Sequence, residues 1–445
     1  MIPASAGLDQ RELAAELERD PIVQRYRSFF ALLDWTQVVE RAIDHPWPGS
    51  APHPESAYVK ALLVKLSEQK AYVTDLRRLL VEHPLLVLEM GFQPVLDPTH
   101  YYGFDVEQTV PCDRWLRHKQ QTLDNAMLRA LLRETVHALQ QEIPGLGQTV
   151  AVDVKHIYAW VTENNSKAYV TDRYDPEQQP AGDPDCRLGV KRSTNQVRPD
   201  GTLAERKEYV WGYGTGVVAA THPHYGDVVL AEYTQPFNET DITYYRPLYQ
   251  RTVATLGFRP TNIAGDAAFD AWYVYQDAAE MGGMAAVPLN TRGHARPQLG
   301  PNGIHLCPKG LEMIGLYEFD HGDGYRAQEL RCPLLVPHAT GQSCDHEQFV
   351  KGVGCVKYIN ITAGGKMRIA LDRQAESYKG IYRQRTAAER INSQAKALGI
   401  ERPQVRNSAS VSNLNTLTYV VINARALERV RTLTARASVP IPSLC

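Results

Sequence analysis

The chain has 445 residues, 43% of them apolar, and a formal net charge of -2, enough for two or three domains with cores of their own. The near-neutral balance excludes a uniformly basic chain, and no run approaches the 18 apolar residues that a membrane-spanning helix needs. Charge is nevertheless uneven: from Lys379 onward there are 11 Lys/Arg against 3 Glu and no Asp, a local excess suited to a phosphate backbone.

The first residues, MIPASAGLDQRELAAELERD, are polar and acidic and lack the basic start and apolar run of a signal peptide. Seven scattered cysteines in so long a chain fit a reducing interior better than a disulfide framework. A cytoplasmic protein is therefore expected. From about Asp20 to Pro144 the apolar residues return every three or four positions, as in AYVKALLVKLSEQKAYVTDLRRLLVEH and TLDNAMLRALLRETVHALQQEI, which predicts helices. Thr122 or Asp124 could cap the second run. A Pro- and Tyr-containing connector, about Pro94 to Pro111, separates them. No turn glycine marks a helix-turn-helix, and a plain packed helical pair reads as well.

At Gly147 the period changes. TVAVDVKHIYAWV reads as a strand, and a polar loop from Thr162 to Lys207 follows. YVWGYGTGVVAATH and DVVLAEYTQ are further strands joined by a PHYG turn, and Asp227 reads as part of that turn. Asp241 to Leu256 predicts a helix, NIAGD the end of a strand, AFDAWYVYQDAAEMG a helix and MAAVPLN another strand. This order implies a mixed sheet covered by helices. Residues 290–375, rich in Gly, Pro and His, read as an insertion with short strands such as CVKYINIT. The chain turns helical again beyond Tyr378, up to Gly399.

Three acids stand out. Asp153 interrupts an apolar strand, on one face with Ala151 and Lys155, and that face is either open to solvent or part of a site. Asp266 lies at the carboxyl end of a strand, a common ligand position and equally a helix cap. In YRQRTAAERINSQAK, a helix at 100° per residue would place Tyr382, Arg385, Glu389 and Lys396 within an arc of about 60°, either a salt-bridged surface or a phosphate-facing site. Clustered carboxylates repel one another unless cations bind, and hard divalent cations prefer oxygen ligands. Arg385 and Lys396 would meet phosphates, one as a planar fork and one as a point charge.

This constellation resembles the DDE transposases of bacterial and archaeal insertion sequences. Their late signature is Tyr, two residues, Arg, three residues, Glu, six residues, Lys, met here by Tyr382, Arg385, Glu389 and Lys396. Asp153 in AVDVKHIY matches the first acid and Asp266 in NIAGDAAFDAWYVY the second, with Asp270 as structural support. The 122 residues between Asp266 and Glu389 require an insertion. The resemblance implies an α/β fold: a ribonuclease-H-like catalytic domain over 146–445, a mixed sheet with flanking helices, with the insertion at about 290–375. An all-helical DNA-binding region over 1–145 would precede it. It further implies that Asp153, Asp266 and Glu389 hold two Mg²⁺, with Mn²⁺ able to substitute, while Tyr382, Arg385 and Lys396 contact DNA. Water would cut at each transposon end, and the freed 3′-hydroxyl would join target DNA, performed by a homodimer on paired double-stranded ends. A domesticated nuclease without strand transfer and a non-catalytic, transposase-derived DNA-binding protein are the alternatives. Cys307, Cys332, Cys344 and Cys355, spaced by 25, 12 and 11 residues, could be a zinc site but show no CxxC knuckle, and read rather as scattered buried thiols.

Overall fold

The strand expected after Gly147 begins at Thr149, but the region before it is not all-helical: in the Pro- and Tyr-containing connector, Val95–Leu96 pairs antiparallel with Phe104–Asp105. The computed structural model describes residues 10–40, 52–197, 203–291 and 296–437. The start of the polar N-terminal stretch, 198–202 of the polar loop and 292–295 of the expected insertion lie outside the described residues. Two compact units emerge, one of Met1–Gly147, Asp153–Gly257 and Ala387–Cys445, the other of Gln148–Val152 and Phe258–Thr386. Each mixes helices with strands.

The first unit opens with helices Gln10–Arg19 (α1), Pro21–Phe30 (α2), Glu55–Ser67 (α3), Val73–Glu82 (α4), Pro84–Met90 (α5), Asp113–Thr122 (α6) and Asn125–Glu142 (α7). Tyr26, Phe30, Tyr58, Leu76, Leu80 and Phe92 are among the buried residues of a core that α2 to α6 share. Of the two candidate caps for α7, Asp124 does the capping: its Oδ1 accepts from Ala126 N at 2.8 Å. The strand Thr149–Tyr158 (β1) runs from the second unit into the first. The polar loop is shorter than expected, because Arg187–Val197 (β2) pairs antiparallel with the first half of Leu203–His222 (β3). RLGVKRSTNQV shows no clean apolar alternation; its backbone is satisfied by the ladder. Gly226–Pro236 (β4) pairs with the second half of β3, and β3 neighbours β1. Helix Asp241–Leu256 (α8) lies close on β3, where a Cβ at Gly214 would come 2.1 Å from Tyr244 Oη and one at Gly216 2.7 Å from Leu248.

On β1, His156 packs against Phe237 with ring centroids 4.3 Å apart. Burial, then the charges of Lys191 and Lys155, push its pKa down to about 4. A proton that the unfolded chain accepts below pH 6.5 is refused by the folded one, so this residue favours folding fully above pH 6.5. That contribution declines as pH falls toward 4, by at most about 1.4 kcal/mol per pH unit. Urea midpoints between pH 7 and 4.5 are expected to fall less steeply in His156→Phe than in the unaltered protein; parallel profiles would refute this.

In the second unit, the start of β1 pairs in parallel with Asn262–Ala264 (β5), Ala151 opposite Ala264, and β5 pairs in parallel with Ala285–Ala286 (β6) beyond helix Trp272–Ala279 (α9). The expected insertion contains a three-stranded antiparallel sheet, Ile314–Asp320 (β7), Arg326–Arg331 (β8) and Val356–Asn360 (β9), with β8 central. Its cysteines are not scattered: Cys307, Cys332 and Cys355 share one buried cluster, and Cys344 packs against it. Helices Ala363–Ala370 (α10) and Glu376–Arg383 (α11) follow.

Helix Thr386–Ala397 (α12) leads back into the first unit, which ends in the long helix Ser408–Ala437 (α13). Asn423 of α13 serves both backbone groups of Val229 on β4, accepting from its N–H at 2.9 Å and donating to its carbonyl at 2.8 Å. Among the described residues, no helix is long and apolar enough to cross a membrane. The architecture is mixed α/β, with parallel and antiparallel pairings in the sheet and flanking helices.

Candidate active site

The face of β1 that carries Asp153 is covered by α12 and the loop behind it rather than turned to solvent. Asn392, 7% exposed, donates through Nδ2 to Asp153 Oδ2 at 2.9 Å. Two residues along the same face, Lys155 Nζ lies 2.9 Å from Glu401 Oε2, and Lys396 Nζ lies 3.0 Å from the same oxygen. Burial raises the Glu401 carboxyl, but the two ammonium groups outweigh it and hold the carboxyl below its usual range. Lys396, 63% exposed, thus stands at the surface with one carboxylate already beside it.

Helix α12 is set down by its other flank. Ala387, Ala388, Ile391 and Ala395 are buried, whereas Glu389 is exposed. Arg390 makes a two-pronged ion pair with Asp227, Nε to Oδ2 and Nη2 to Oδ1, both at 2.7 Å. Asp227 is thus not a turn residue: it lies in β4 opposite Thr221, with only 7% of its side chain exposed. A planar fork on a carboxylate fixes rotation as well as distance, and so fixes which way the helix presents Glu389 and Asn392.

In the second unit, Asp266 stands two residues beyond Ala264, the last residue of β5. It caps the turn Ala267–Phe269, its Oδ1 accepting from Ala268 N at 2.9 Å. Asp270 has the supporting role expected for it. Its carboxylate takes Arg368 Nε at 2.9 Å and Nη2 at 2.6 Å, Tyr275 Oη at 2.8 Å and Asn290 N at 2.8 Å.

The signature segment is not one continuous helix. α11 stops at Arg383, and Gln384 and Arg385 are turned by bonds from their N–H groups to the carbonyls three residues back, Ile381 and Tyr382. The single wheel holding Tyr382 and Arg385 with Glu389 and Lys396 does not apply. Tyr382 and Arg385 belong to the second unit, Glu389 and Lys396 to the first. Tyr382 stacks on Tyr378 at 5.7 Å, and the Arg385 guanidinium lies over the Tyr382 ring at 5.5 Å, a cation–π contact that orients it.

Beyond Asp153, β1 leads to a basic, aromatic wall within the first unit. Arg402 lies 4.1 Å over the Tyr158 ring and Arg406 5.0 Å over Trp160. Trp160, 41% exposed, borders a cavity of about 600 Å³ that Arg114, Arg117, His118 and Arg406 also line.

Asn392, Glu401 and the Asp227–Arg390 pair were not singled out as part of a site in the sequence. Asn392 carried a signal all the same, standing one helical turn after Glu389. The three carboxylates are hard donors of the kind Mg²⁺ prefers, and the buried Asn392 Oδ1 has no hydrogen-bond partner, which leaves an oxygen beside Asp153 for a cation or its water. Among the described residues, no group of three or more His, Cys, Asp or Glu is arranged to hold a metal ion. No protein-family model matches the chain, and no curated protein matches it either.

Proposed function

We propose that this protein is a DDE-type DNA transposase with a ribonuclease-H-like catalytic domain, cleaving phosphodiester bonds at transposon ends and joining the 3′-hydroxyl to target DNA. One observation carries the reading most: the helix with Glu389 lies on the strand with Asp153, joined by the Asn392–Asp153 hydrogen bond. That Asp266 follows, by two residues, a strand paired in parallel with the start of β1 supports it as well.

Asp153, Asp266 and Glu389 would hold Mg²⁺, which when bound supplies an activated water or hydroxyl and offsets charge on the leaving oxygen. Asn392 orients Asp153, and the Arg390–Asp227 pair sets the rotation of α12. Arg385, steadied over Tyr382, and Lys396 meet phosphates of the strand being cut. Arg402, Arg406 and the arginines beside Trp160 track the flanking backbone, phosphate contacts that position DNA without reading its sequence. Both ends must be processed together, so two copies act on paired ends, at the nucleoid.

The test is a Mg²⁺-dependent cleavage and strand-transfer assay on DNA taken from the two flanks of the gene. Cleavage followed by joining supports the transposase. Cleavage without joining makes the protein a nuclease, and specific binding with neither reaction makes it a DNA-binding derivative. Asn392→Ala is expected to lower the cleavage rate by about 10- to 100-fold, as loss of a group orienting a metal ligand does, and to raise the Mg²⁺ needed for half-maximal rate. An unchanged Mg²⁺ dependence would remove Asn392 from the site.

A further inference from the structure

We propose that Cys307, Cys332, Cys344 and Cys355 form a structural zinc site in the second unit. The four residues are far apart in sequence, yet the fold gathers them. Cys307, Cys332 and Cys355 are buried in one cluster with Met313, Leu330 and Leu334, and Cys344 packs against it. Burial, and then the neighbouring thiols of Cys307, Cys332 and Cys344, push the Cys355 thiol up to about 11. Backbone proximity agrees: a Cβ on Gly354 would lie 2.7 Å from Cys332 Cβ and 3.5 Å from its sulfur. All four are free thiols.

This cluster is a poor core without a metal. Three of its six fully buried residues are thiols, which gain less from burial than Leu or Ile. The sheet above offers little more, since the middle of β7, including Leu316 and Tyr317, is exposed. Four thiolates are a closed tetrahedral set for zinc, and soft sulfur ligands select it over Mg²⁺.

The loops suit the role. Cys307 opens a turn closed by Gly310 N donating to its carbonyl at 2.9 Å, and Cys332 opens another in which Leu335 N and Val336 N donate to its carbonyl. Cys355 follows the left-handed glycines Gly352 and Gly354, a backbone that side-chain-bearing residues rarely adopt. His346 Nδ1, which accepts from Gln348 N at 3.3 Å, lies 3.6 Å from Cys355 Sγ. The sulfurs are packed as a core and are not arranged around a metal position, so side-chain rotation accompanies binding. As four Zn–S bonds form, four thiol protons pass to solvent.

The test uses the full chain, with a readout independent of DNA cleavage, so this proposal and the transposase reading can fail separately. Protein refolded with Zn²⁺ and dialysed against a weak chelator is expected to retain about one zinc per chain. Cys344→Ser and Cys355→Ser should each lose it, and Cys112→Ser should keep it. Cys344, only partly buried, gives a variant that folds even where Cys355→Ser does not. Co²⁺ in place of zinc should give the absorption of a tetrahedral thiolate site. Zinc at background in the unaltered protein, with the four thiols alkylated equally fast with and without Zn²⁺, would overturn the proposal.

Discussion

Glu389→Gln is expected to reduce Mg²⁺-dependent cleavage and strand transfer by more than about 100-fold, because groups that merely orient metal ligands already account for 10–100-fold. Stability should hardly change: Glu389 is exposed on α12, and glutamine keeps its volume and helix propensity. Binding to the DNA ends should survive, since the substitution removes a negative charge and no phosphate contact. Asp153→Asn should behave alike in cleavage, its amide still able to meet Asn392. Rates measured with thermal melting on the same preparations check this. If Glu389→Gln cleaves within a few-fold of the unaltered protein, Glu389 is a surface residue and the transposase reading fails.

What the sequence revealed, and what it hid, follows from the range of each signal. The N-terminal helices, β1, β3, β4 and α8 were readable because their apolar periods are local and strong. β2 was not, since RLGVKRSTNQV takes its strand form from the ladder with β3. The break at Gln384–Arg385 has no Gly or Pro to announce it. Asp227, next to a turn glycine, carried every local sign of turn chemistry, and its real partner, Arg390, is 163 residues away. The thiols likewise show their grouping only when separate loops are folded together. At the site, Asp153 and Glu389 could be picked out by strand parity and signature spacing. Asn392 and Lys155 were open to the same arithmetic, one turn beyond Glu389 and two residues beyond Asp153, but nothing in composition sets them apart from ordinary polar residues.

Asp266 and Asp270 are only four residues apart, and opposite outcomes are expected on substituting them. Asp270→Ala should destabilise the second unit by about 3 kcal/mol, the cost of stranding a partly buried cation and the other donors of a buried carboxylate. The Asp270 side chain is 1% exposed and Arg368 28%, so solvent can relieve only part of the loss. Tyr275 and Asn290 would lose their acceptor as well. Asp266→Asn should leave stability within about 0.5 kcal/mol, because asparagine caps a turn as well as aspartate does, while cleavage is lost. Denaturant unfolding followed by near-ultraviolet dichroism, where Tyr275 and Trp272 report on the second unit, separates the two. A stable Asp270→Ala protein would show that the Arg368 pair holds nothing in place. An Asp266→Asn protein that still cleaves would show that this carboxylate is a cap and nothing more, leaving the proposed metal site with two acids where the chemistry asks for three.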